Sequence, residues 1–293
     1  MESTTVTENE KNESSRIYTL FYSFFLIPFM IAIFGGVFFL LFRFITFETE
    51  DASELLNQVK IGSATKRWQA AYELSKVFNN PETIPSDLSF KNQMVSSYKH
   101  SINDDPLVRA YLAIAMGVTG DNFYAEYLIE GLKDESRESR IAAIQAVGMV
   151  QAEAALLSLT NVITNSNFED ERLAATMAIG FIGDRSSIPL LNSLLEDEEP
   201  NIRWDAAIAL AKMGEKTGVP TISNLMDREF LISFPQLDPK EVNKVLMVAI
   251  ETSSIIQDDR FRTNLTKLAE SDENLKIRNA AMKTLKNTYD RII

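Results

Sequence analysis

The sequence predicts an all-α protein, a solenoid of about seven stacked helix pairs preceded by one transmembrane helix. Three observations carry that reading. One residue pattern, clearest over residues 197–214 (DEEPNIRWDAAIALAKMG), recurs along most of the chain. It runs from an acidic turn residue to an Arg six positions later, preceded by an apolar residue, and then to paired Ala, an apolar residue and a small one. The matching basic residues Arg109, Arg140, Arg172 and Arg203 sit 31, 32 and 31 positions apart. A fixed period of that size marks a unit that buries its apolar face against the next copy rather than in a single core. The third observation is residues 17–42, which contain no Asp, Glu, Lys, Arg, His, Asn or Gln.

Taken in order, residues 1–16 are rich in Ser, Thr, Asn and Glu without apolar periodicity, which predicts a disordered tail. Residues 17–42, as a helix rising about 1.5 Å per residue, exceed the roughly 30 Å hydrocarbon core of a bilayer, so a tilted single-pass anchor is the direct reading. A cleaved signal peptide is the competing one. Against it, the apolar run is longer than usual and is followed by Arg43, Phe44, Ile45, Thr46 and Phe47 rather than by a small-x-small site. Pro28 and the Gly35-Gly36 pair suit either a kink or close packing against another helix, though such residues are common in membrane helices. Lys11 and Arg16 precede the helix and only Arg43 follows it closely, so the positive-inside rule leans toward a cytoplasmic N-terminus with the solenoid outside.

Residues 43–51 read as an acidic linker and residues 52–293 as the solenoid. Its first copy contains Leu55, Leu56 and Val59 on one helical face and Trp68, Ala71, Leu74 and Val77 on another. Asn79-Asn80-Pro81 ends that copy. From Asp104 to Gly214 the pairs are regular, and Gly120-Asp121 and Gly183-Asp184 mark turns between them. An irregular stretch, EFLISFPQLDP at residues 229–239, then lengthens the spacing from Arg203 to Lys244 to 41. The final copy starts at Asp272, and its polar Asn279, Lys283, Lys286 and Asn287 suit a capping repeat.

Composition narrows function by exclusion. Net charge is −12, spread along the chain, which argues against nucleic acid, since phosphate backbones need a clustered basic surface. There is no Cys and a single His, His100, so disulfides are excluded and a zinc site would have to be nearly all carboxylate. No metal and no cofactor is expected. His100, beside Lys99 near a helix end, reads as a solvated or capping residue.

An acidic turn residue, apolar-Arg, Ala-Ala and Leu-Gly at a period near 31 resembles the HEAT repeat in the bacterial form named after phycobilisome lyases. The linker with RWQAAYELSK is similar to uncharacterised bacterial membrane-anchored HEAT proteins. The resemblance implies a right-handed superhelix, the Arg-bearing helices on its concave side, and a structural ladder of acids and bases through the turns. Here that ladder uses Asp134, Asp197, Asp238 and Asp272 with Arg140, Arg203, Lys244 and Arg278. Deoxyhypusine hydroxylase resembles this architecture but needs His-Glu pairs, which this chain lacks; a bilin-lyase-like activity has no motif that tests it.

The positions one and five residues after each Arg share a stripe, because four residues make about one turn. Trp68, Tyr72, Ile114, Ile141, Leu173, Met177, Trp204 and Ile208 occupy it. Exposed, they form an apolar surface for a partner protein; packed between repeats, they are core. Residues 230–237 are read either as a second apolar contact surface or as a connection covering a repeat junction. The expected function is a non-catalytic, membrane-anchored scaffold or adaptor that binds an unidentified protein through its concave face. An accessory subunit held mainly through its membrane helix is the alternative.

Overall fold

The computed structural model describes residues 22–46 and 51–289. The expected tail at residues 1–16, the first residues of the apolar run, linker residues 47–50 and residues 290–293 lie outside them. The chain divides into two units, Met1–Asp51 and Ala52–Ile293.

In the first unit a π-helical turn, Tyr22–Leu26, leads into α1, Ile27–Thr46. The switch to α-helical bonding falls just before Pro28, which has no amide hydrogen to give to a helical ladder. Within it, Phe24–Leu41 has a mean hydropathy of 2.6 and is entirely exposed. It is long and apolar enough to cross a membrane. A Cβ placed on Gly35 or Gly36 would meet nothing within 4 Å.

In the second unit every described residue in regular structure is helical. The first helices of the pairs are α2 (Ala52–Ile61), α4 (Leu88–His100), α6 (Ala125–Gly131), α8 (Leu156–Asn165), α10 (Ile188–Leu194), α12 (Val219–Leu225) and α15 (Phe261–Ser271). The second helices are α3 (Ala64–Val77), α5 (Pro106–Val118), α7 (Arg137–Met149), α9 (Glu169–Ile182), α11 (Pro200–Lys212), α14 (Pro239–Ile256) and α16 (Leu275–Thr288). A short extra helix, α13 (Arg228–Ile232), is inserted between α12 and α14.

Local sequence explains the boundaries. Asp105 and Glu199 accept hydrogen bonds from the first-turn amides of α5 and α11, each of which has Pro at its first position, and Asp238 and Glu241 form a capping box on α14. Gly120, Gly183 and Gly214 follow second helices with φ of 64°, 70° and 83°, where a side chain would be strained.

Burial is likewise periodic. The paired Ala of each copy (Ala142 and Ala143, Ala174 and Ala175, Ala206 and Ala207) lie in the core. Successive second helices approach closely because Gly meets Ala across the seam: a Cβ on Gly117, Gly148 or Gly180 would fall 2.8, 2.8 or 2.9 Å from Ala146, Ala178 or Ala209 respectively. The equivalent residue of α11 is Ala211. There the core divides. Ile202, Ala206, Ala209 and Leu210 belong to one apolar cluster reaching back to Ala52, while Trp204, Ala207 and Ala211 belong to another reaching forward to Tyr289. One helix thus serves as the shared wall of two cores.

Candidate functional site

The candidate site is the face presented by the second helices. Tyr72 is 39% exposed, its ring 5.1 Å from that of Tyr111, with Lys76 Nζ over the ring at 5.0 Å from its centre. Met177 is 42% exposed. Trp68, Ile114, Ile141 and Leu173 are half-buried and pack onto the first apolar cluster, and Ile208 is also half-buried. Trp204 is different: only 6% is exposed, and its ring meets Phe234 edge-on at 5.2 Å, with Phe230 set edge-to-face against Phe234 at a further 5.2 Å. The expected exposed stripe therefore loses Trp204, because the inserted segment folds over it. Leu231 of that segment is buried, and Phe230, Phe234 and Leu237 pack on the second cluster.

Met149, 42% exposed, and Phe181, 50% exposed, belong to the face although the stripe as read from the sequence omitted them. Both lie nine residues after their Arg, one helical turn beyond the fifth position, so extending the same spacing once more finds them. Near them Met177, Phe181, Asp205, Ile208 and Lys212 line a depression. Lys212 sits over the Phe181 ring at 5.2 Å. Burial pushes the Asp205 carboxyl up to about 6, against the partial pull of Lys212. Among the described residues it has no hydrogen-bond or ion-pair partner.

The turns that precede the second helices carry the charged ladder, with an offset that the period does not reveal. Asp134 accepts from Arg109 Nε and Nη2 at 2.5 and 3.0 Å, so its carboxylate serves the preceding repeat. Arg140 instead takes the backbone carbonyls of Asp134 and Glu135, both at 2.8 Å, and sends Nε and Nη2 to Glu171. Arg172 reaches Asp197 at 3.2 Å, while Arg203 donates to the Asp197 and Glu198 carbonyls. Arg278 donates to the Asp272 carbonyl at 2.6 Å. Each turn is thereby clamped from two repeats by charge-assisted hydrogen bonds.

The expected Asp238–Lys244 rung is not formed. Asp238 is an exposed cap and Lys244 an exposed side chain, because the insertion moves that turn out of register. Arg228 on α13 takes the place, donating Nε and Nη2 to Asp272 at 2.8 Å each and Nη2 to Asn243. Among the described residues no cluster of three or more His, Cys, Asp or Glu could hold a metal ion.

With this geometry in place, residues 100–179 and 156–230 match the HEAT repeats family. Curated proteins give no sequence match. Among solved structures the chain is similar to the complex of CpcE and CpcF of phycocyanin lyase from Nostoc sp. PCC7120, at 17% identity over 82% of this chain and 90% of that one, with a TM-score of 0.55. It is also similar to Escherichia coli YibA (17% identity, 81% and 82% covered, TM-score 0.47) and to human deoxyhypusine hydroxylase (16%, 82% and 85%, TM-score 0.35). At such identities the likeness is one of fold alone. Residues 100–230 thus match HEAT repeats within a helical solenoid, a fold suited to binding proteins.

Proposed function

We propose that the chain is a membrane-anchored scaffold or adaptor, without chemistry of its own, that holds a partner protein on the face of its second helices. The observation that carries this reading is the row of exposed apolar side chains Tyr72, Met149, Met177 and Phe181. Large apolar groups on neighbouring elements mark contact surfaces more often than solvated ones. Half-buried Trp68, Ile114, Ile141, Leu173 and Ile208 form the floor of that row. The anchor spans the bilayer once, the N-terminus is cytoplasmic and the solenoid lies outside, and tethering raises the local concentration of both proteins at the membrane.

The test is crosslinking capture from membranes with the intact chain, with a fragment from Asp51, and with Met177→Ser plus Phe181→Ser in the intact chain. The reading expects the same protein on the first two baits and its loss from the third, with the thermal midpoint of the double variant unchanged. Retention by the intact bait alone favours the second reading, an accessory subunit held through α1, which the open flank at Gly35 and Gly36 supports. A visible absorbance band in the purified protein would instead favour a lyase-like role.

A further inference from the structure

Clefts open on the turn side where successive repeats meet, and one differs from the others in charge. The cleft between the second repeat and the third sets Arg109 and Lys133 against Asp104, Asp134 and Glu135. The one near the last seam sets Arg228 and Lys267 against Glu229, Asp272 and Glu273. The first cleft, of about 360 Å³ between α2, α3, α4 and α5, sets Lys60 and Arg67 against Asp104 alone, with His100 beside them. In a chain of net charge −12 this is a local cationic surplus.

The donors there are also unspent. Arg109 uses Nε, Nη1 and Nη2 on Asp134 and the Tyr98 carbonyl. Among the described residues the Arg67 side chain makes one bond, Nη2 to Asp104 at 2.7 Å, and its Nε is buried without a partner. Lys60 gives one proton to Gln93 at 2.6 Å and keeps two. His100 is fixed by its Nδ1 contact to the Ser96 carbonyl at 2.7 Å and lines the cleft beside these donors. The hydroxyls of Ser97 and Ser101 already donate to backbone carbonyls and add nothing.

We propose that this cleft binds a phosphate monoester group, whose near-dianionic charge and three acceptor oxygens match the Lys60 ammonium and Arg67 guanidinium, both with donors to spare, with His100 lining the same cleft. Lys60 and His100 sit in the last turns of α2 and α4, where the helix ends repel an anion. The side chains alone hold the ligand, so loss of one is sufficient to weaken it at least about tenfold. The phosphate arrives either free or on a lipid headgroup.

His100 is the sole histidine, so its ring signals in a nuclear magnetic resonance spectrum report on this cleft without ambiguity. The intact chain in nanodiscs would be titrated with inorganic phosphate and with glycerol 3-phosphate, with matched sodium chloride as control. A parallel sample would carry phosphatidic acid in the disc. Saturable shifts are expected in the native chain and not in Lys60→Gln, whose thermal midpoint should match the native one because Lys60 is exposed. Saturation only with phosphatidic acid identifies the lipid as the source, and saturation with the soluble esters identifies free phosphate. Shifts that follow chloride equally, persist in Lys60→Gln, or are absent with all three probes overturn the proposal.

Discussion

The repeats before α11 and those after it use the same vocabulary and differ in how tightly it is applied. From α5 to α11 each seam has Gly against Ala, a carboxylate given back to the preceding Arg, and a near-constant spacing. After α11 the small pair becomes Ala211 and, in the corresponding place on α14, Ile250, while the acid at the turn, Asp238, caps its own helix and reaches no Arg. What replaces that seam is an inserted apolar segment, Phe230, Leu231 and Phe234, laid on Trp204. The difference shows that a solenoid can exchange register for an aromatic cover and remain continuous.

Two pairs of substitutions sharpen or break that contrast, the pair with the larger expected effect first. Asp134→Ala leaves Arg109 buried and unpaired and should cost about 3–5 kcal/mol, whereas Asp238→Ala removes only a cap and should cost about 1 kcal/mol. Denaturant unfolding of both in detergent checks this, and equal losses would erase the distinction between the two regions. Gly148→Ala forces a methyl group onto the Ala178 backbone and should cost about 1–3 kcal/mol or more. The same measurement on Ala211→Gly, at the equivalent position of the looser seam, should give about 1 kcal/mol, mostly helix propensity.

Asp205, on the shared helix, gives a pH signature. Its folded pKa is raised, so the native state holds the proton longer than the unfolded chain. The stability Asp205 contributes is therefore greatest below about 4, falls as pH rises to about 6, and levels above that. Asp205→Asn should remove this slope and gain about 1–2 kcal/mol at neutral pH, the shift at 1.36 kcal/mol per unit less the part returned by solvent. A series of unfolding curves between pH 4 and 7.5 measures it; a native slope that survives in the variant assigns the effect elsewhere.

The fold was legible because period, cap residues and Ala pairs are properties of one repeat. The site was legible only where one repeat sufficed. The six-residue spacing pairs Asp134 with Arg140, Asp197 with Arg203 and Asp272 with Arg278, and each pair meets through a backbone carbonyl, since each carboxylate is claimed by an Arg of an earlier element. Arg228 escaped notice because it lies on the insertion, outside any register. Trp204 occupies the same helical position as Trp68, and only the chain passing over it makes one core and the other half-exposed. Phe181 and Met149 were within reach of the same helical arithmetic, carried one turn further.

The wall helix α11 also gives the chain a direction in time. Trp204, Ala207 and Ala211 are the surface on which the later cluster condenses, and α11 is itself held in place by α9 through Gly180 and Ala209. Assembly should run from the regular repeats toward the C-terminus, the order in which a ribosome delivers them. Pulsed hydrogen exchange during refolding would show amides of α7 and α9 protected before those of α14 and α16. A chain built this way exposes its unfinished core at one end only, and always the end still being made.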